Sequence, residues 1–271
     1  MRRWKPLLAI VALASSADVC PLPDGWRPAT ALGGEYLAVT AFDAQPACDF
    51  PAAISDDALP AVLLGVSTNE QRSEYAASEL LTRHGTLEMV VGLMEEPATL
   101  ESVLAQMRYE TPANASMAWS RRGSSSLGAS DIWAQLPMAP LLANTPTDRL
   151  LAIGSDGAGL PLHRDGATLS SLLHGHVLWV VAPPGALLPS QLLAAHGHAL
   201  LEELGRLRAR PYDDAKRHLL TCTQAPGSAV YLPAGWARAA VHLGDAVALT
   251  VQQADWHEPP PREPAVGDEI S

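Results

Sequence analysis

The chain has 271 residues, of which 48% are hydrophobic and 17% charged, and a formal net charge of −11. That length and composition suit a globular chain with a real core, one large domain or a domain with a small companion, and exclude a disordered one. Such an acidic balance repels phosphate backbones, so no nucleic-acid partner is expected.

The first residues have the three parts of a secretory signal: a positive start at Arg2, Arg3 and Lys5, an apolar stretch from Pro6 to Ala14, and small residues at Ser15-Ser16-Ala17. The apolar stretch is shorter than the roughly 20 residues a bilayer requires; the alternative is a buried N-terminal helix or strand. No later segment is apolar for long enough, so no membrane span is expected. Residues 1–17 are read as a signal peptide, which places the mature protein in the endoplasmic reticulum lumen or outside the cell. Two features agree. Asn114-Ala115-Ser116 is an N-glycosylation sequon. A Cys20–Cys48 bridge would suit an oxidising compartment and leave Cys222 as an unpaired, buried residue, although spacing alone does not fix the pairing.

Residues 18–60 read as irregular structure with short strands such as Glu35 to Thr40. Ala61 to Val66 is a short apolar run suited to a buried strand. Ser67-Thr68-Asn69-Glu70 is a capping-box signal, which predicts a helix to about His84 with Gly85 as its stop. Leu87 to Val91 reads as a strand. A second helix is expected from about Thr99, because Leu100, Val103, Leu104 and Met107 fall at i, i+3, i+4 and i+7. Residues 110–130 contain the polar loop Arg121 to Ser126, and Asp131 to Leu136 reads as a short helix closed by Pro137 and Pro140. From Leu150 the texture becomes short strand-like runs, at Leu150–Ile153, Val177–Ala182, Ala229–Leu232 and Ala246–Gln252, interrupted by one helix from about Ser190 to Leu207. The organisation expected is a helix and strand region, 18–149, packing on a barrel, 150–256, followed by a disordered Pro-rich tail, 257–271.

The chemistry-bearing stretch is Gly159-Leu160-Pro161-Leu162-His163-Arg164-Asp165-Gly166, then Leu172 to Pro184. His163 and Asp165 sit two apart, so on a strand they project to one face. An imidazole and a carboxylate so placed supply two legs of a 2-His-1-carboxylate iron site; the plainer alternative is a His–Asp hydrogen-bonded pair at a strand end. About seventy residues on come Ala225-Pro226-Gly227-Ser228-Ala229-Val230-Tyr231-Leu232-Pro233-Ala234-Gly235-Trp236 and Ala240-Val241-His242-Leu243-Gly244-Asp245-Ala246-Val247-Ala248-Leu249.

The order of these blocks resembles the jumonji-C (JmjC), cupin-like 2-oxoglutarate oxygenases, most of all the lumenal jumonji-domain-containing protein 8 type, over about residues 150–254. The resemblance implies a double-stranded β-helix of jelly-roll type, mainly β in an α+β chain, with bracing helices ahead of it. The alternation from Leu169 to Val181 suits one wall of such a barrel. The resemblance also implies Fe(II) and 2-oxoglutarate as cofactors and a protein as substrate or partner.

Departures from the family pattern are informative. Its third iron ligand, a histidine, falls here on Arg238, and guanidinium has no lone pair for a metal. His242 lies four residues further, about 13 Å along a strand, and is a poor substitute. Where the family places a lysine for the co-substrate, Gly175 is followed by His176 and Val177, so His176 and Arg238 are the remaining candidates for that role. His174, His196, His198 and His218 are not expected to be ligands; His196 and His198 suit a helix surface. Two functions follow: a degenerate member that binds or scaffolds in the lumen, in which Arg238 pairs with the Asp165 carboxylate and replaces the ion, or an Fe(II)/2-oxoglutarate-dependent protein hydroxylase that uses His163 and Asp165 with water or His242.

Overall fold

The computed structural model of the chain describes residues 25–27, 47–49, 58–120, 142, 146–209 and 219–254. The expected signal peptide, the strand at Glu35–Thr40, Cys20, the loop at Arg121–Ser126, the helix at Asp131–Leu136 and the tail lie outside them.

The helices follow their caps, with shifts that packing explains. The first capping box sits one residue later than expected, between Thr68 and Gln71, and opens α1 (Asn69–Ser73). The expected continuous helix is broken: Ser73 Oγ bonds back to the Glu70 carbonyl, Tyr75 is drawn into the core, and the chain restarts as α2 (Ala77–His84). Thr99 caps α3 (Leu100–Met107), which buries the four stripe residues, Leu100, Val103, Leu104 and Met107. The helix expected at 190–207 is likewise two, α4 (Ser190–Ala194) and α5 (Gly197–Ala209). Gly197 breaks it with φ +52° and approaches so closely that a Cβ there would meet the Gly157 carbonyl oxygen at 2.4 Å.

The protein is mostly β. Among the described residues eleven strands form one antiparallel sheet: β1 (Ala47–Cys48), β2 (Ala61–Leu63), β3 (Glu88–Val91), β4 (Glu96–Thr99), β5 (Met117–Ser120), β6 (Thr147–Gly154), β7 (Gly159–Arg164), β8 (Thr168–Ala182), β9 (Leu220–Gln224), β10 (Ala229–Leu232) and β11 (Ala237–Gln253). Strands β4 and β5 lie where no strand was expected, and through β3, β5 and β6 the sheet runs continuously across residue 150.

Two long strands organise the sheet. The first half of β8 pairs with β10 and with the second half of β11; its second half pairs with β9 and with the first half of β11. β11 is flanked on its other side by β7 and then β6. The sheet thus has two sections that share β8 and β11. The turn from one to the other falls at Gly175, φ +74°, and Gly244, φ +86°, where the pairing register shifts. Buried Asp156 accepts the Gly244 N–H at 2.7 Å, and Asp245 grips Arg27 through its backbone N–H and its guanidinium, docking the segment that carries buried Trp26.

Side-chain alternation separates the faces. Before the Gly175 corner Leu169 and Leu173 pack outward with Met89, Leu100 and Ile153; after it Leu178, Val180 and Ala182 pack outward under Leu200 and Leu204 of α5. Leu172, Val177, Trp179, Val181, Val230, Ala240 and Ala248, drawn from both sections, form a third cluster between them. The inward parity of β8 is even before the corner and odd after it, because the corner takes up one residue. Helices therefore cover outer faces, and an interior lies between the sections.

The cysteine pairing differs from the expected one. β1 runs antiparallel to β9 with Cys48 directly opposite Cys222, and these two form the disulfide. Cys222, fully buried as expected, is bonded rather than free.

Candidate ligand cavity

The interior opens into a cavity of about 800 Å³. Its polar lining is His163, Asp165, Thr168, Arg238, Thr250 and Gln252, and its apolar lining includes Met117, Trp119, Leu150, Leu160 and Trp179, while Leu93 and Glu95 reach it from the β3–β4 turn. The two kinds are neighbours along the strands: Leu150 on β6 lies directly across from Thr250, and Leu160 and His163 share β7. Periodicity explains the polar residues. Thr168 on β8, and Arg238, Thr250 and Gln252 on β11, occupy inward positions among apolar outward neighbours, and Ser170 bonds Thr250 across the pair at 3.0 Å.

His163, Asp165 and Arg238 come together. Arg238 is the direct cross-strand partner of His163, and Asp165 follows the end of β7 on the same side. His163 Nδ1 donates to the Pro161 carbonyl at 2.8 Å, which leaves Nε2 as the lone-pair nitrogen. Burial holds the His163 pKa below its ordinary value; the Pro161 carbonyl opposes this, Arg238 adds to it, and Asp165 opposes it.

The expected Arg238–Asp165 pair is not made. The guanidinium, 3% exposed, donates through Nη1 to Thr168 Oγ1 and through Nη2 to the Gly166 carbonyl, while its Nε has no partner. Asp165 instead curls back, accepting the Gly166 N–H on Oδ1 at 2.8 Å and the Gln252 amide on Oδ2. The two charges act on each other through space: burial lowers the Arg238 pKa to about 10, and Asp165 works against that.

The other sequence candidates lie elsewhere. His242 is fully buried at the corner, its Nδ1 without a partner and packed so tightly on Gly154 that a Cβ there would come within 2.5 Å of it. Burial lowers its pKa, against the Gly154 carbonyl, Asp245 and Asp156. His176 is half-buried beside the same corner, with its pKa lowered by burial, and neither histidine lines the cavity. His196 is exposed and His198 half-exposed on the α5 side. Gln252, Thr168, Trp119 and Glu95 went unrecognised in the sequence. The period-two polar positions of β8 and β11 signalled the first two; nothing local signalled the others.

These donors do not fit Fe(II). His163 and Asp165 offer two ligands, the facing position holds a cation, and among the described residues no group of three or more His, Cys, Asp or Glu is placed to hold a metal ion. Nor, among those residues, is any helix long and apolar enough to cross a membrane. Fold and site together define a mostly β protein with an interior cavity of ligand size, lined by a polar cluster and by apolar, aromatic residues beside it. No known family model and no curated protein matches the chain.

Proposed function

We propose that the chain is a JmjC-like double-stranded β-helix protein of the secretory pathway that binds a ligand or protein partner and has lost the iron chemistry its sequence blocks suggest. The observation that carries this reading is Arg238, a buried guanidinium on the strand facing His163, at the position where an oxygenase needs a histidine. Two antiparallel sections sharing β8 and β11 suit such a barrel. Lumenal residence rests on the N-terminal signal and on the sequon, whose Asn114 is exposed on a turn and bonded to Thr111. The competing reading, an Fe(II)/2-oxoglutarate-dependent protein hydroxylase, draws on His163 and Asp165 lining one cavity.

Anaerobic titration with Fe(II), with and without 2-oxoglutarate, separates the two. The wild type should bind no stoichiometric iron at micromolar concentration, and Arg238→His should acquire measurable binding. Stoichiometric iron in the wild type would return the oxygenase reading.

A further inference from the structure

We propose that the interior cavity is a site for an apolar monocarboxylate, its carboxylate seated on the Arg238 guanidinium and its hydrocarbon body against Trp119, Trp179 and Leu150. The inference rests on the metal-free reading, since an ion held by His163 and Asp165 would occupy the same space.

Buried charges are normally compensated by a charge in contact. Arg238 is not: its two bonds go to neutral oxygens, those of Thr168 and Gly166, and its Nε is unpartnered although the residue lines the cavity. Most of the guanidinium's donors therefore remain unused. Asp165 shares the cavity, but its oxygens are engaged by the Gly166 N–H and the Gln252 amide. A ligand carboxylate would supply the missing contact, in the forked geometry that guanidinium favours.

The rest of the cavity selects the body of the ligand. With its pKa held below the ordinary value by burial and Nδ1 committed to the Pro161 carbonyl, His163 is neutral at pH 7, so Arg238 is the one cation among the described residues that line the cavity. Next to these polar groups the lining is apolar and aromatic, with Trp119, Trp179, Leu150 and Met117, and about 800 Å³ is the size of a small-molecule site. Glu95 brings a carboxylate to the β3–β4 side of the cavity. Its φ of +52° is the one positive value among the described non-glycine residues, and its charge repels a second acid on the ligand.

Calorimetric titration of the full chain in EDTA tests this with decanoate, methyl decanoate, decanedioate and 2-oxoglutarate. Decanoate should bind saturably, one per chain, and the ester, the diacid and 2-oxoglutarate at least about tenfold more weakly. Arg238→Gln should weaken decanoate by a similar factor, whereas Glu95→Gln, on an exposed turn, should narrow the gap between decanoate and decanedioate even if the Arg238 variant fails to fold. Equal affinity for ester and acid, tighter binding of 2-oxoglutarate, or no saturable binding of decanoate would each overturn the proposal. Iron binding by the wild type in a parallel titration without EDTA would instead remove the metal-free reading beneath it.

Discussion

Arg238 directs its hydrogen bonds to Thr168 and Gly166, and that choice sets the worth of Asp165 to the fold. With no direct ion pair to break, Asp165→Asn should cost about 1 kcal/mol, the scale of one hydrogen bond. Removing one partner of a buried ion pair costs roughly 3–5 kcal/mol, so a loss of that size in urea unfolding would show that the two charges touch in solution. His163 and Asp165 were legible as neighbours from strand alternation, a local signal, and Arg238 as facing them from the order of the blocks on which the family resemblance rests. Their hydrogen bonds were not. Whether Asp165 turns to Arg238 or to Gln252 depends on where two strands 72 residues or more apart come to rest, and on Gly166 lying beside both.

Elements were legible where a cap or a stripe defines them, as for α3, and illegible where tertiary contact interrupts them. The break before α5 exists because Gly197 meets the Gly157 backbone, and the Cys48–Cys222 bond exists because β1 lies against β9. Glycine substitutions separate these cases. At Gly175, φ +74°, a Cβ would lie 2.1 Å from the Asp245 carbonyl oxygen, so Gly175→Ala should destabilise by about 2 kcal/mol or more. Gly205 lies exposed in α5 with nothing within 4 Å of an added Cβ. There Gly205→Ala should stabilise by about 0.5–1 kcal/mol. Equal effects in thermal melts would contradict the corner assigned to β8.

For the molecule as a whole, the mostly β character was readable from the short apolar runs after Leu150, but the extent of the sheet was not. β4 and β5 are four residues each, and β4 contains Pro97, which suits an edge and hides the strand from pattern reading. A global property follows from four histidines that the fold buries wholly or in part. His84, His163, His176 and His242 all have lowered pKa values, with burial the first cause in each. The unfolded chain therefore takes up protons near pH 6.5 while the folded one does not, and stability falls as pH drops below that value. His242, fully buried, should contribute a slope of up to about 1.4 kcal/mol per pH unit. Urea midpoints measured between about pH 7.5 and 5.5 should decline, and less steeply in His242→Gln; an unchanged slope in the variant would remove His242 from the account.

Because β8 and β11 run through both sections, neither section owns a complete set of strands. One cannot part from the other without breaking ladders that hold its own core. Native-state hydrogen exchange should accordingly give the amides of Leu169, Val180, Val241 and Leu249 one common opening free energy, equal to that of global unfolding. Those of β4 and α1 should open by fraying at lower cost. Distinct values for the two halves of β8 would show that the halves move apart independently. With the two sections so coupled, the rate at which a ligand enters the interior should follow the motion of the β3–β4 turn, whose exposed Leu93 and Glu95 line the cavity, rather than any breathing of the fold.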